Sequence, residues 1–340
     1  MTSITTGKVF AGIDVGAKEL VLEMRTGGKV MATQSFLNTR ADRNRLVRKF
    51  AKIQNCTVCL EATGVYSTAL SVALCDAAIP VMVLNPQASH NFAKVLGKHS
   101  KTDSVDANTL AQYAERMPFQ QWVRPSDAEM TLRAFSRRIH TLTKQKSAAK
   151  NQAHALSFIA TTPKGILHDL KLAVSQLEKR IATLTREAIA FIKANPALNE
   201  PFELLLGVKG IAETSAIALL GELLLLPKGL SHAQWVKFAG LDPKHFRSGS
   251  SVDKKARISG AGNHYIRAAL YMPALSAKAH DPHVKAFFEH LIVMGKTPLQ
   301  AVCAVMRKLL HALHGMISNN QPFDNTRFYA IPNKIALATA

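Results

Sequence analysis

The order of the apolar runs between residues 8 and 86 constrains this chain more tightly than any other feature. Residues 8–16 (KVFAGIDVG) form a short apolar run closed by glycine, which predicts a buried strand. Residues 19–25 and 30–36 predict two more strands, with Gly27-Gly28 as the hairpin turn between them. Residues 40–53 then place Leu46, Val47, Phe50 and Ile53 at helical spacing. A strand at 57–61, a helix at 65–78 and a strand at 81–85, stopped by Pro86, follow. Three strands and then alternating helix and strand specify an α/β domain with a mixed sheet.

Beyond residue 126 the period changes. Leu132, Phe135, Ile139, Leu142, Lys146, Ala149, Ala153 and Leu156 alternate by three and four, and so do Leu167, Leu170, Val174, Leu177, Ile181, Leu184, Ala188 and Phe191. With Pro163-Lys164-Gly165 as the turn and Asn195-Pro196 as the end, this predicts an antiparallel helical hairpin with coiled-coil packing, suited also to an oligomer contact. The alternative is two ordinary core helices, and Lys146 at a seam position weakens the strict coiled-coil reading. From residue 201 onward the chain reads as helical. Residues 204–211 (LLLGVKGI) resemble a helix-hairpin-helix turn, in which Gly207 and Gly210 let backbone N–H groups approach a phosphate. A last helix is expected from Pro298 to Met316, with Pro298 at its first position, and the tail after Asn333 reads as unstructured. The expected divisions are a domain at 1–125, the hairpin at 126–196, a mostly helical domain at 197–330 and a tail at 331–340.

The greasiest stretch, 217–226, is interrupted by Gly221 and Glu222 and stopped by Pro227, too short to span a bilayer. The first seven residues carry no apolar leader. A soluble, cytoplasmic, nucleoid-associated protein with no membrane partner is expected. Cys56 and Cys59 sit three apart on a predicted strand and so point to opposite faces, which speaks against a shared metal. All four cysteines read as reduced core residues.

Charge narrows the function. Lys and Arg number 43 against 23 Asp and Glu, a formal net charge of +20. Such an excess favours a polyanionic partner, nucleic acid ahead of lipid, because cations that neutralise phosphates release condensed counterions. Against that basic background four acids stand out: Asp14 and Glu61 at predicted strand ends, and Asp103 and Asp106 in KTDSVD (101–106) at a helix start. Positions i and i+3 share a helix face, so the last two can aim at one point. Carboxylate oxygens suit hard divalent cations such as Mg²⁺ or Mn²⁺, which can clamp a phosphodiester. Taken singly, Asp14 also fits a turn, Glu61 a solvated end and Asp103 a helix cap. GIDVG (12–16) additionally resembles the phosphate strand of actin-like ATPases and sugar kinases. Those proteins need a second α/β domain, and the second half of this chain reads as helical.

Residues 247–267 read RSGSSVDKKARISGAGNHYIR. Ser248, Ser250 and Ser251 share a glycine-containing loop with Arg247, Lys254, Lys255 and Arg257 nearby. A serine hydroxyl attacks phosphorus only when activated, and neighbouring cations stabilise the charge that develops. Composition alone favours a phosphate-binding loop without covalent chemistry.

Several segments occur in order: GIDV (12–15), EATGVY (61–66), Asn85-Pro86, KTDSVDA (101–107), FAGL (238–241), SGSS (248–251) and ISGAG (258–262), with Arg267 after them. Together they closely resemble the DEDD-type insertion-element transposases related to the Piv invertase, a family of bridge-RNA-guided recombinases. The likeness runs from about residue 12 to about residue 323. It implies an RNase H-like, RuvC-like first domain in which Asp14, Glu61, Asp103 and Asp106 bind Mg²⁺ or Mn²⁺. It also implies Ser248 as a nucleophile that forms a covalent 5′-phosphoserine link with DNA, a dimeric or tetrameric assembly, and a structured noncoding guide RNA. Val252-Asp253-Lys254-Lys255 departs from the acid-poor, Gly-Arg-like stretch such a family leads one to expect, which touches the phosphate contacts assigned to Arg247, Lys254, Lys255 and Arg257. Two rivals remain at this point: a metal-only nuclease or junction resolvase in which water attacks, and a noncatalytic nucleic-acid-binding protein.

Overall fold

The computed structural model describes residues 7–97, 102–248 and 252–331, and of 245–248 and 252–256 the backbone alone. The chain divides into two compact units, Met1–Arg124 and Pro125–Ala340.

In the first unit, β1 (Val9–Val15), β2 (Glu19–Thr26) and β3 (Lys29–Leu37) are followed by α1 (Arg40–Ala51), β4 (Cys56–Glu61), α2 (Val65–Asp76), β5 (Val81–Leu84), α3 (Pro86–Val95) and α4 (Asp103–Arg116). The sheet runs β3-β2-β1-β4-β5. Strand β2 is antiparallel to β1 and β3, whereas β4 is parallel to β1 and β5 parallel to β4, giving the mixed sheet expected from the sequence. Gly27 and Gly28 form the two-residue turn, both with positive φ, as a turn that matches the twist of its strands requires.

Strand parity sorts the side chains. Val9, Ala11, Ile13 and Val15, with Val58 and Leu60, join Leu46 and Phe50 of α1 and Leu70 and Leu74 of α2 in one apolar cluster. The alternate residues Phe10, Cys59, Met82 and Leu84 meet Leu110 and Ala114 of α4 in another. Each side of the sheet is therefore covered, and a fully buried leucine there contributes roughly 1.5–3 kcal/mol. Cys56 and Cys59 fall in different clusters, and burial pushes both thiols up to about 12. Both are free and buried; Cys75 and Cys303 are free and half-buried.

The second unit comprises α5 (Asp127–Ser157), α6 (Lys164–Lys193), α7 (Pro196–Leu206), α8 (Glu213–Leu223), α9 (His232–Ala239), β6 (Pro243–Ser248), β7 (Val252–Ile258), α10 (His264–His280), α11 (Pro282–Val293), α12 (Pro298–Asn319) and α13 (Asn325–Phe328). Ser126 and Glu129 form a reciprocal capping box that starts α5. Helices α5 and α6 pair as a hairpin, and Leu132, Ile139, Ala188 and Ile192 enter one apolar core with residues of α7, α8, α10 and α12. Toward its tip the hairpin is largely exposed, as at Phe158. Three expectations are corrected here. The turn lies at 158–163, Pro163 is the N-cap, and Lys164 and Gly165 are already helical, since proline's fixed φ suits a helix start. Pro196 opens α7 rather than only closing the hairpin. The wholly helical reading past residue 201 gives way to the antiparallel pair β6 and β7. Helix α12 begins with Pro298 behind a Thr297 cap, as expected, and runs to Asn319. The expected unstructured tail lies outside the described residues. Among the described residues no helix is long and apolar enough to cross a membrane.

Candidate active site

Asp14 and Glu61 reach one place because of sheet register. Strands β1 and β4 are parallel, Ile13 pairs with Leu60, and the acid following each therefore stands at the same carboxyl edge. Both belong to the parity that faces α4, shared by Phe10 and Cys59. Helix α4 delivers the other two acids. Thr102 caps its N-terminus, accepting from Val105 N, and Asp103 and Asp106 occupy the first turn, where the helix dipole favours negative charge.

Gly12 sets how close α4 can come. A Cβ at that position would fall 2.1 Å from the Ala107 carbonyl oxygen and 2.2 Å from the Ala111 nitrogen. The far end of α4 is tied to β2. Arg25 Nε donates to Glu115 Oε2 (3.2 Å), Glu115 Oε1 accepts from Gly28 N (2.7 Å), and Arg25 pairs with Glu23, which accepts from Asn108 Nδ2. Arg25 and Glu23 are both buried, so this network fixes the helix along its length.

The charges of the four acids meet at Asp14. Its carboxyl is pushed up to about 6, first by burial and then by Asp103, Asp106 and Glu61. Among the described residues, no three acidic, histidine or cysteine side chains form a ready-made ligand set. The donors are all carboxylate oxygens, which fits a hard divalent cation.

Sequence reasoning missed one group. Ser89, buried on α3, lies 2.5 Å from Glu61 Oε2 as donor and 2.9 Å from the Pro86 carbonyl. The Asn85-Pro86 motif that precedes it is the cap of α3, with Asn85 accepting from Gln87 N. No periodicity or charge in the sequence marks Ser89. The loops beside the acids are also fastened: Thr63 Oγ1 donates to the Val15 carbonyl and Asn38 Nδ2 to the Gly16 carbonyl. Tyr66 is half-exposed.

Ser248 belongs to the second unit, as the last residue of β6, with Val252 opening β7 opposite it. Ser250 and Ser251 lie outside the described residues. Arg247 pairs in register with Asp253 and Phe246 with Lys254; Lys255 lies on β7, and Arg257 is exposed. The FAGL and ISGAG motifs form a clip at the base of this hairpin. Gly240 ends α9 in the left-handed region, and a Cβ there would meet the Ala261 carbonyl and the Arg267 guanidinium at 2.7 Å. Gly262 lies against the Phe238 carbonyl, which accepts from Asn263 N (2.7 Å). Ser259 N donates to the Asp242 carbonyl and Ser259 Oγ to Asp242 Oδ1 (2.6 Å). Arg267 donates to the Ala239 carbonyl (2.7 Å) and so braces the clip.

The remaining glycine pair has packing duties. Gly207 N already donates to the Glu203 and Leu204 carbonyls, and a Cβ on Gly210 would meet the Pro273 carbonyl and Ala277 N of α10. The close approach of α10 accounts for the glycine at position 210.

Residues 11–157 match the family profile of DEDD transposases of the IS110 group, described as "Transposase". Residues 202–289 match the profile described as "Transposase IS116/IS110/IS902 family". The pilin gene-inverting protein of Moraxella bovis is 31% identical over 268 residues, covering 78% of this chain and 81% of that protein. Its counterpart from Moraxella lacunata is 32% identical over 272 residues with the same coverage. Among solved structures, the Thermus thermophilus RuvC in complex with a Holliday junction substrate overlaps 32% of this chain and 95% of its own, at 16% identity and a TM-score of 0.25. Two profiles in order, and relatives matched over most of their length, place the chain in the IS110 family of transposases, as a DNA recombinase related to the pilin gene-inverting proteins.

Proposed function

We propose that this transposase cuts and rejoins the DNA strands of an insertion element using an acidic metal centre on an RNase H-like, RuvC-like unit and Ser248 as nucleophile. The observation that carries the reading is geometric: strand register brings Asp14 and Glu61 to one edge of the sheet, and Asp103 and Asp106 lie on the first turn of the helix packed against it. Acids at one sheet edge and on the helix beside it repel one another, and a divalent cation would offset that repulsion. Asp14, Glu61, Asp103 and Asp106 would hold Mg²⁺ or Mn²⁺, which supplies Lewis acidity toward phosphoryl oxygens. Ser89 orients Glu61 by its hydrogen bond.

In this reading the Ser248 hydroxyl attacks the scissile phosphorus. The Oγ–P bond forms as the P–O3′ bond breaks, the serine proton leaves to a base, and the departing 3′ oxygen is protonated. The phosphoserine link conserves the phosphodiester's energy, and a 3′ hydroxyl from the exchanged strand later reverses the step. Arg247, Lys254, Lys255 and Arg257 are placed on the serine hairpin, where cations would meet phosphates. A structured guide RNA that pairs with target and donor DNA, and a dimer or tetramer that joins acidic and serine units of different subunits, complete the proposal. Its support is the sequence resemblance together with the excess positive charge.

Trapping tests it. Wild-type protein incubated with nicked DNA and Mg²⁺ is expected to give a protease-sensitive covalent adduct, and Ser248→Ala none. Asp14→Asn is expected to bind DNA yet fail in strand exchange. Cleavage without any wild-type adduct would mean that water is the nucleophile, and undiminished exchange by Asp14→Asn would remove the metal centre.

A further inference from the structure

Gly221 and Glu222 interrupt the greasiest run of the chain, and the acid is buried in the last turn of α8 at 2% exposure. A buried carboxylate persists only where charge and hydrogen bonds compensate its lost hydration. Here the compensation comes from two other helices. Arg137 of α5 grips it with both ends of its fork, Nε to Oε1 at 2.7 Å and Nη2 to Oε2 at 3.2 Å, and Arg133 stands 3.9 Å away. From α10, Asn263 Nδ2 donates to Oε2 at 2.6 Å. Gly221 makes the approach of α5 possible, since a Cβ there would fall 2.7 Å from the Ser136 Cβ.

Asn263 is more than a partner for Glu222. Its Oδ1 accepts from Tyr265 N and Ile266 N and so caps α10, while its backbone N donates to the Phe238 carbonyl inside the clip. Arg137 also covers the Tyr265 ring at 4.5 Å, adding a second tie between α5 and the start of α10. One carboxylate thus links the long hairpin, α8 and the foot of the β6–β7 hairpin. All of its partners lie far from it in sequence, 85 residues away for Arg137 and 41 for Asn263.

We infer that Glu222 is a positioning residue for the serine hairpin: through Asn263 it holds the base of β6–β7 at a fixed orientation to α5. The inference rests on the reading of Ser248 as the nucleophile only for its catalytic consequence. A polar hub satisfied on every side fixes orientation more sharply than apolar contact, because its bonds are directional. A nucleophile on the hairpin it anchors depends on that orientation for attack geometry.

The test uses the full-length protein and two variants. Glu222→Gln keeps the volume and removes the charge. Asn263→Ser keeps a capping hydroxyl for α10 but is too short to reach Glu222, which separates the link from the cap. Both variants are expected to show faster amide hydrogen exchange through residues 243–258, with exchange in α12 unchanged. With saturating nicked DNA and Mg²⁺, covalent adduct should form about tenfold to hundredfold more slowly, the scale of loss for a misoriented reacting group, while DNA affinity stays within about twofold. If Glu222→Gln does not fold, Asn263→Ser decides. Unchanged exchange at 243–258 in Asn263→Ser overturns the inference. A wild type that forms no adduct overturns the nucleophile reading instead, and the exchange measurement still settles the clip.

Discussion

Asp14 shows how a single carboxyl records its neighbourhood. Burial and three acids raise it to about 6 from an ordinary 3.8, so the folded protein holds this proton more tightly than the unfolded chain does. The stability linked to it is therefore complete below about 3.8 and lost as pH rises through about 6. In cation-free protein, Asp14→Asn is expected to raise the melting temperature near pH 7.5, and the gain should vanish near pH 3.5, where wild-type Asp14 is protonated in both states. Melting curves recorded with a chelator check this; a lower melting temperature for Asp14→Asn near neutrality would show that Asp14 is stabilised rather than strained. The acids were legible in the sequence because carboxylates at element ends are conspicuous in a basic chain. Ser89 and Glu222 were not. Ser89 earns notice only through a bond to a residue 28 positions away, and Glu222 read as a flaw in a greasy segment because its arginine partner is remote.

Among elements, β1 and α4 are fitted to each other at Gly12. The atoms that an added methyl would strike all belong to the backbone of α4, so the helix as a whole must yield. Gly12→Ala is expected to destabilise the first unit by about 1–3 kcal/mol, as overpacking does, and to reduce strand exchange by displacing Asp103 and Asp106 from Asp14. Urea unfolding measures the first effect, and exchange assays under conditions where the variant stays folded measure the second. A fully stable and active Gly12→Ala would mean that α4 is not constrained there. Elements with a clear period were readable from sequence, including the three-stranded start and the long helices. The pair β6 (PKHFRS) and β7 (VDKKARI) was not, because polar and charged residues dominate both and the alternation that marks a half-buried strand is weak. What fixes that pair is the clip at its foot, built from glycines and a serine whose partners sit across the chain.

For the molecule as a whole, a net charge of +20 sets how binding responds to salt. The logarithm of the DNA association constant is expected to fall linearly with the logarithm of salt concentration, by about 0.9 per phosphate contacted on duplex DNA. Titration across several ionic strengths checks it, and a flat response would contradict a phosphate-dominated interface. The basic balance was visible at once, whereas the sharing of one core by the long helices and the C-terminal helices needed three-dimensional contacts to be seen. The part-buried Arg25–Glu115 tie has a further implication. Glu115 lies twelve residues along α4 from Asp103, about 18 Å at 1.5 Å per residue. If the acids act as proposed, the tip that carries them is aimed from a tie at the helix's far end, so damage at Arg25 is expected to silence a copy whose every acid is intact. Degenerate copies of such an element would then accumulate disabling changes along β2 as well as at the acids, and an undamaged acidic signature alone does not certify a live gene.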